Sequence, residues 1–216
     1  MSSILYSFRR CPYAMRARYA IAYLDVPVQL REVVLKNKPA ELLELGGRST
    51  VPQLLDDGQR YPESLDIIFW ALERAEDKEV INCLWPNDGK LQANIMAWIR
   101  FNDDCFKPWL DRYKYADRHP EHTETFYREK GERFLKRIES RLSHQAYLRG
   151  DTLSLADIAV FPFIRQFAGV DSKWFEQSHY PALRRWLNGL LEGELFQRIM
   201  KKYPAWQSDQ EPTYFP

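Results

Sequence analysis

The chain of 216 residues carries 31 basic and 30 acidic side chains, which leaves a formal net charge of +1. A balance this close to zero gives no field that would attract nucleic acid or an anionic membrane, so we expect neither as a partner. Hydrophobic residues make up 45% and charged residues 28% of the chain, which is typical of a globular protein with one large or two small domains.

The three cysteines are Cys11, Cys83 and Cys105. An odd number spread this widely argues against a disulfide framework and predicts a reducing compartment. The N-terminus lacks an apolar stretch of signal-peptide length, and no run of about eighteen apolar residues occurs anywhere. We therefore expect a cytoplasmic protein that does not span a membrane.

The chain is predicted to begin with a short buried strand over residues 4–6, followed by a helix that starts at Pro12. Proline suits the first helical position because its missing N–H is no loss there. The apolar residues that share one face of this helix are Ala14, Ala17, Ile21 and Leu24.

Cys11 then lies at or next to the N-cap of this helix, where free backbone N–H groups converge and the helix dipole is positive. A thiol at this position is expected to have a lowered pKa and to be partly thiolate at neutral pH. Four arginines near it act in the same direction: Arg9, Arg10, Arg16 and Arg18. The alternative is that Cys11 is a small buried hydrophobic residue, which is the commonest role of a lone cysteine.

Strand and helix signals alternate over the next fifty residues. The predicted elements are short, are separated by turn residues and are, in order, a strand over 28–35, a helix over 40–45, a strand over 51–55, a strand over 59–61 and a helix over 65–72. The turn Asp56-Asp57-Gly58 predicts a hairpin between the last two strands. The order β-α-β-α-β-β-α is that of a thioredoxin-like α/β domain, which we place at residues 1–75.

The composition shifts over residues 76–88, which contain Pro86, and we interpret this segment as a linker. No strand pattern follows it. Helical periodicity predicts five helices, over 90–115, 121–144, 154–168, 181–191 and 193–202, with Pro108 kinking or dividing the first. Residues 89–216 are therefore predicted to form an all-helical domain.

The motif Cys11-Pro12-Tyr13-Ala14 carries the candidate chemistry. A Cys-x-x-Cys motif would close an intramolecular disulfide, but Ala14 occupies the position of the second cysteine. A single thiolate can still attack a disulfide or an electrophile, and an external thiol must then release it. Glutathione is the cellular thiol that this role indicates.

Four short motifs occur in order along the chain: Cys11-Pro12-Tyr13-Ala14, Leu35-Lys36-Asn37-Lys38-Pro39, Val51-Pro52 and Glu63-Ser64. Together they resemble the cytosolic glutathione S-transferases, and most closely the cysteine-type, omega-like branch with bacterial-style members. The resemblance covers the whole chain and implies a thioredoxin-like glutathione-binding domain, an all-helical domain that contributes the acceptor-substrate site, and a two-fold homodimer.

Two departures from the family pattern bear on the site. Residues 46–50, Gly-Gly-Arg-Ser-Thr, replace the usual Asn-Pro-x-Gly-like loop, which affects the geometry of the loop more than binding. Tyr13 stands where this branch often has phenylalanine. Because it follows a helix-initiating proline, we assign it packing near the sulfur rather than activation of glutathione.

The resemblance assigns Cys11 as the catalytic nucleophile and glutathione as the co-substrate. The residues that it implies for glutathione binding are Tyr13, Lys38, Val51, Pro52, Glu63 and Ser64. A cis Pro52 would let the Val51 backbone pair with the cysteinyl backbone of glutathione. Groups at the helix start would hold the γ-glutamyl carboxylate, Glu63 its ammonium, and Lys38 the glycyl carboxylate. Without the resemblance, these residues are explained as a strand start, a capping pair and a solvated lysine.

In the second domain, Ser154 and Asp157 have the spacing of a capping box, and we assign both a structural role. The acceptor-site candidates lie on the first helix of that domain or later in the chain: Phe101, Asn102, Cys105, Phe106, Trp109, Trp174 and the tail residues Tyr214 and Phe215. An aromatic stripe at helical spacing is equally typical of a helical core. The scattered residues His119, His122, His144 and His179 lack metal-ligand spacing, so we expect no metal.

The function that we expect is glutathione-dependent thiol transfer, or reduction of small disulfides, dehydroascorbate or glutathionyl adducts. One alternative is a non-catalytic module with the transferase fold that binds other proteins. Such a module would resemble the stringent-starvation proteins. Those proteins lack an intact glutathione site, whereas this chain keeps all four motifs. Membrane insertion, as in chloride-channel-like relatives, finds no long apolar segment to support it.

Overall fold

The computed structural model describes residues 3–216. By its internal contacts the chain divides into two compact units. Residues up to Ile81 together with Gly193–Pro216 form the first unit, and Asn82–Glu192 form the second.

The elements of the first unit alternate as predicted and are β1 (Ile4–Ser7), α1 (Pro12–Tyr23), β2 (Val28–Glu32), α2 (Ala40–Glu44), β3 (Gln53–Asp56), β4 (Gln59–Tyr61) and α3 (Ser64–Arg74). Seven helices follow: α4 (Lys78–Leu84), α5 (Gly89–Arg100), α6 (Lys107–Lys114), α7 (Glu124–Leu142), α8 (Leu155–Ala168), α9 (Ser172–Gln177) and α10 (Pro181–Glu192). The chain ends with α11 (Glu194–Ile199) and β5 (Tyr214–Phe215), which belong to the first unit.

The five strands form one sheet in the order β4-β3-β1-β2-β5. Strands β1 and β2 are parallel, with Leu5 opposite Leu30, and the other neighbouring pairs are antiparallel. The predicted thioredoxin-like α/β fold followed by helices is confirmed. The strand predicted over 28–35 ends at Glu32, because Asn37 N–H donates to Val34 O over 2.9 Å and closes a turn.

The predicted domain boundaries differ from the two units in two places. The segment 76–88, interpreted as a linker, contains helix α4. Residues 193–216, assigned to the helical domain, lie with the first unit, because β5 pairs with the edge of β2 and satisfies its backbone groups. Ahead of β5 in the chain, the Trp206 N–H donates to Glu32 O, at the end of β2, over 2.9 Å.

Helix α1 is buried along almost its whole length, with α3 and α11 packed against it. The predicted inner-face residues Ala14, Ala17 and Ile21 are all fully buried. The small side chains of Ala14 and Ala17 let neighbouring elements approach closely, so Cys11, the N-cap residue of α1, is held on a rigid, well-packed element.

The helix predicted over 90–115 is divided at the expected place. Between α5 and α6, residues Phe101–Phe106 form a π-helical turn, in which the Lys107 N–H donates to Asn102 O. Pro108 follows at the start of α6. Proline has no N–H and its ring clashes with the carbonyl four residues earlier in an α-helix, so the wider turn accommodates it.

Helix α8 is the buried centre of the second unit and begins with the predicted capping box of Ser154 and Asp157. The Asp157 carboxylate also accepts hydrogen bonds from the Leu148 N–H (2.8 Å) and the Trp186 Nε1–H (3.0 Å). These contacts support a structural role for both capping residues. Within residues 3–216, no helix combines the length and apolar character needed to cross a membrane.

Candidate active site

Cys11 is the N-cap residue of α1, with an extended backbone (φ −74°, ψ 124°) and Pro12 at the first helical position. Its N–H donates to Phe8 O over 2.9 Å, and its carbonyl accepts the Met15 N–H over 2.8 Å. The half-buried side chain therefore leaves a fixed backbone at the positive end of a helix. The predicted N-cap position of Cys11 is confirmed.

The Cys11 sulfur lies beside the start of β3. Its Sγ is 3.5 Å from Val51 O, to which the thiol donates, and the Val51–Pro52 peptide bond is cis. Val51 belongs to a buried apolar cluster with Tyr6 and Leu42, and Cys11 packs against that cluster. Two of the predicted site residues, forty positions apart in sequence, are thus brought into contact.

Arg16 and Ser64 form a second contact across the predicted site. The Arg16 Nε–H donates to Ser64 Oγ over 2.9 Å, and both side chains are 2% exposed. The Arg16 guanidinium also lies 5.0 Å from the centre of the Tyr13 ring. From the sequence, Arg16 is expected only to add positive charge near Cys11; in the structure it joins α1 to the first residue of α3.

The turn that precedes Cys11 is held by Glu32 at the end of β2. Its carboxylate accepts the Arg9 N–H over 2.7 Å and pairs with Arg18 Nη1 at 3.2 Å. Burial lowers the pKa of Arg18 and raises the pKa of Glu32, and their mutual attraction opposes both shifts. The charge of Arg18 is therefore compensated by Glu32.

The remaining predicted glutathione residues lie around these contacts. Glu63 is the exposed N-cap of α3, directly before Ser64. A cleft of about 290 Å³ opens beside it, lined by Gly47, Arg48, Thr50, Arg60, Pro62 and Glu63. Lys38 is half-buried just after the turn that follows β2. Its link to the other site residues rests on the resemblance.

The acceptor-site candidates divide by burial. Asn102, Phe106 and Phe215 are at most 1% exposed and form part of the core, so the expectation that they line a site is wrong. Cys105 and Tyr214 are exposed, and the other three candidates, Phe101, Trp109 and Trp174, are half-buried. Each half-buried aromatic side chain packs against another ring. The distance between ring centroids is 5.2 Å for Phe101 and Phe134, 6.4 Å for Trp109 and Phe126, and 6.1 Å for Trp174 and Phe167.

Two polar residues near the site are absent from the sequence-based assignment. Gln53 in β3 is fully buried, and Arg60 in β4 donates to its side chain over 2.7 Å. A buried glutamine between apolar strand residues is the signal that would have found them, because such a side chain requires partners. Throughout the described part of the chain, residues 3–216, no three His, Cys, Asp or Glu side chains are grouped to hold a metal ion.

Comparison with known proteins identifies the class of protein that this fold and site define. Residues 5–79 match the glutathione S-transferase N-terminal domain, and residues 107–189 match the glutathione S-transferase C-terminal domain. Glutathione S-transferase U22 of Arabidopsis thaliana is 30% identical over 177 residues, which cover 81% of this chain and 74% of that protein. The chain therefore belongs to the glutathione S-transferase family of transferase enzymes.

One further sequence and one solved structure are also similar to this chain. Glutaredoxin 2 of Escherichia coli (strain K12) is 34% identical over 98 residues, 44% of this chain and 41% of that protein. A glutathione transferase family member from Pseudomonas fluorescens Pf-5, solved with two glutathione bound, superposes with a TM-score of 0.76 at 18% identity over 92% of both chains. This last likeness shows that the two proteins share a fold.

Proposed function

We propose that the chain is a glutathione-dependent thiol transferase of the cysteine type, with Cys11 as the nucleophile. The observation that supports this most directly is the position of the Cys11 sulfur at the N-terminus of α1, 3.5 Å from Val51 O. A helix N-terminus favours the thiolate, which is the nucleophilic form. The adjoining Val51 backbone is where an extended peptide such as glutathione would pair.

The proposed reaction has two thiol–disulfide exchanges. The Cys11 thiolate attacks the glutathionyl sulfur of a mixed disulfide R–S–SG, which forms Cys11–S–SG and releases RS⁻, to be protonated by solvent. A second glutathione thiolate then attacks Cys11–S–SG, releases oxidised glutathione and regenerates the Cys11 thiolate. In sum, RSSG and GSH become RSH and GSSG. Dehydroascorbate has no sulfur–sulfur bond, so the Cys11 thiolate would instead add to one of its carbonyl carbons. A glutathione thiolate would then attack the Cys11 sulfur of this adduct, which breaks the carbon–sulfur bond, releases ascorbate and forms Cys11–S–SG, and a second glutathione would release oxidised glutathione as above.

Glutathione would lie along the Cys11 side of the sheet, with its cysteinyl backbone on Val51. The N-terminus of α3 offers backbone N–H groups and the Ser64 hydroxyl to the γ-glutamyl carboxylate, and Glu63 offers a carboxylate to its ammonium. We assign Lys38 to the glycyl carboxylate and Tyr13 to packing near the sulfur. Phe101, Cys105, Trp109 and Trp174 remain the proposed acceptor-side residues.

Two further observations support the proposal. The match with Glutaredoxin 2 covers part of the chain and bears a name that fits thiol transfer. Cys11, Cys83 and Cys105 form no disulfide bond within residues 3–216, which fits a reducing, cytoplasmic setting. A two-fold homodimer follows from the family resemblance, and light scattering on the purified protein would measure it.

The test compares Cys11→Ser with Cys83→Ser and Cys105→Ser, which change the other two free thiols. We expect Cys11→Ser to abolish reduction of a glutathionylated peptide, while the two control variants keep the wild-type rate. Its affinity for S-methylglutathione, which cannot form a disulfide, should stay within about threefold of wild type. Turnover that survives in Cys11→Ser would reject the mechanism. Failure of the wild type to bind S-methylglutathione would instead favour a protein-binding module.

A further inference from the structure

The loop between α2 and β3, residues 45–50, leads directly into Val51 and shapes the site where the proposed glutathione would pair. It lacks regular structure and contains two consecutive residues of positive φ, Gly46 (+74°) and Gly47 (+60°). Glycine adopts this conformation without strain, but it also loses the most conformational freedom when a loop is ordered. A loop of this composition needs external contacts to keep one shape.

Arg60 in β4 supplies most of these contacts. Its Nη1 donates to Leu45 O (2.8 Å) and Gly46 O (2.7 Å), and its Nη2 donates to Arg48 O (3.2 Å). Its Nε donates to the side-chain oxygen of Gln53 over 2.7 Å. A guanidinium presents its donors in a fixed plane, so one side chain holds three loop carbonyls and the neighbouring strand at once.

Gln53 supplies the remaining hydrogen bonds to the 45–50 loop. Its oxygen accepts from Arg60, and its Nε2 donates to Arg48 O (2.7 Å) and to Thr50 O (2.8 Å). The side chain is fully buried, so these hydrogen bonds are made away from competing water. Four of the six loop carbonyls, those of residues 45, 46, 48 and 50, are thereby tied to the β3–β4 hairpin.

We propose that Gln53 and Arg60 are positioning residues for glutathione. They fix the 45–50 loop and so present the Val51 backbone in the one arrangement that can pair with the cysteinyl backbone of glutathione. This inference rests on the proposed function. It also explains how a Gly-Gly-Arg-Ser-Thr loop can serve in place of a proline-containing one, because side chains of the hairpin supply the rigidity that the loop sequence lacks.

The experiment measures the affinity of Arg60→Ala for S-methylglutathione by calorimetry. If the loop keeps its binding shape only about a tenth of the time, the affinity falls about tenfold, since apparent affinity scales with the competent fraction. Trypsin should cleave after Arg48 faster than in the wild type. Arg60→Lys should have an affinity and a cleavage rate between those of the wild type and Arg60→Ala, since one nitrogen cannot replace the guanidinium fork. If Arg60→Ala does not fold, the comparison of Arg60→Lys with the wild type is the test.

The matched control is Arg74→Ala, which removes an arginine bound to Asp56 at the opposite end of the same hairpin. It should lower the melting temperature without changing the affinity or the cleavage at Arg48. Wild-type affinity and wild-type cleavage in Arg60→Ala would overturn the inference. A wild type that binds no S-methylglutathione would overturn the proposed function instead, and the cleavage rates would still show whether Arg60 holds the loop.

Discussion

Arg16 Nε donates a hydrogen bond of 2.9 Å to Ser64 Oγ, and both side chains are buried. A charged donor makes a stronger bond than a neutral one. The bond fixes the rotamer of a hydroxyl that still has its own proton to donate, at a helix N-terminus that favours anions. Ser64 is therefore already oriented for the γ-glutamyl carboxylate that we propose it binds.

The first prediction follows for Ser64→Ala. The substitution removes the hydroxyl and takes one hydrogen-bond partner from a buried cation, so we expect affinity for S-methylglutathione to fall about tenfold, or about 1.4 kcal/mol. Calorimetry measures it. The control is Ser172→Ala, which changes an exposed serine at the first position of α9 and should leave affinity unchanged. Equal affinities in the two variants would contradict the assignment of Ser64.

How far the site could be predicted depends on how local its signals are. The N-cap position of Cys11 follows from the neighbouring Pro12, so the sequence alone predicts it. The contact between Arg16 and Ser64 joins residues 48 positions apart and depends on how α3 packs on α1. An arginine inside a nearly all-buried helix does indicate a buried partner, but it does not say which one.

The fold shows the same limit at the C-terminus. The first four strands have local patterns and turn signals, and the structure contains all of them. Strand β5 has only two residues in a proline-containing tail, and it exists because Val28 offers an edge to Phe215 at the far end of the chain. The short helix α9 was also missed, because six residues give little periodicity.

The second prediction tests this strand with Phe215→Ala. Phe215 is fully buried, and its ring lies 5.0 Å from the guanidinium of the buried Arg18. We expect the free energy of unfolding to fall by about 3 to 5 kcal/mol, as for other buried phenylalanines. Urea denaturation measures it. Tyr214→Ala is the control, because Tyr214 is 61% exposed in the same strand and should change stability by less than about 0.5 kcal/mol. Equal losses in the two variants would show that β5 does not dock as described.

The third prediction concerns the pH dependence of stability through Asp56. Partial burial acts to raise the pKa of Asp56, but hydrogen bonds from Ser3, Trp70 and Arg74 outweigh it and lower the pKa below its ordinary value of 3.8. A lowered pKa in the folded state stabilises the fold above the unfolded value, and that contribution disappears as pH falls through the folded value.

Asp56→Asn should therefore reduce the free energy of unfolding at pH 7 by about 1 to 2 kcal/mol. This value lies in the lower part of the range for hydrogen bonds to charged groups, because Arg74 is partly exposed to solvent. The difference from wild type should shrink below about pH 4, where the carboxylate becomes protonated in the unfolded state, and should vanish as pH falls through the lowered pKa of the folded state. Urea denaturation from pH 3 to pH 7 measures it. Asp57→Asn, at the exposed neighbouring turn position with φ +47°, is the control and should show no such trend. A difference that stays constant with pH would exclude this role for the Asp56 charge.

The fourth prediction contrasts two glycines inside helices of the second unit. A Cβ at Gly131 in α7 would lie 2.6 Å from Phe167 Cε2, and Phe167 is fixed in a buried cluster of rings. A Cβ at Gly189 in α10 would meet nothing within 4 Å. Alanine favours a helix over glycine by about 0.5 to 1 kcal/mol, so Gly189→Ala should raise stability by about that amount. Gly131→Ala should lower it by about 1 to 3 kcal/mol, because overpacking outweighs the helix preference. Thermal melting of both variants measures the two signs, and a stabilised Gly131→Ala would mean that α7 and α8 do not approach each other as closely as the structure shows.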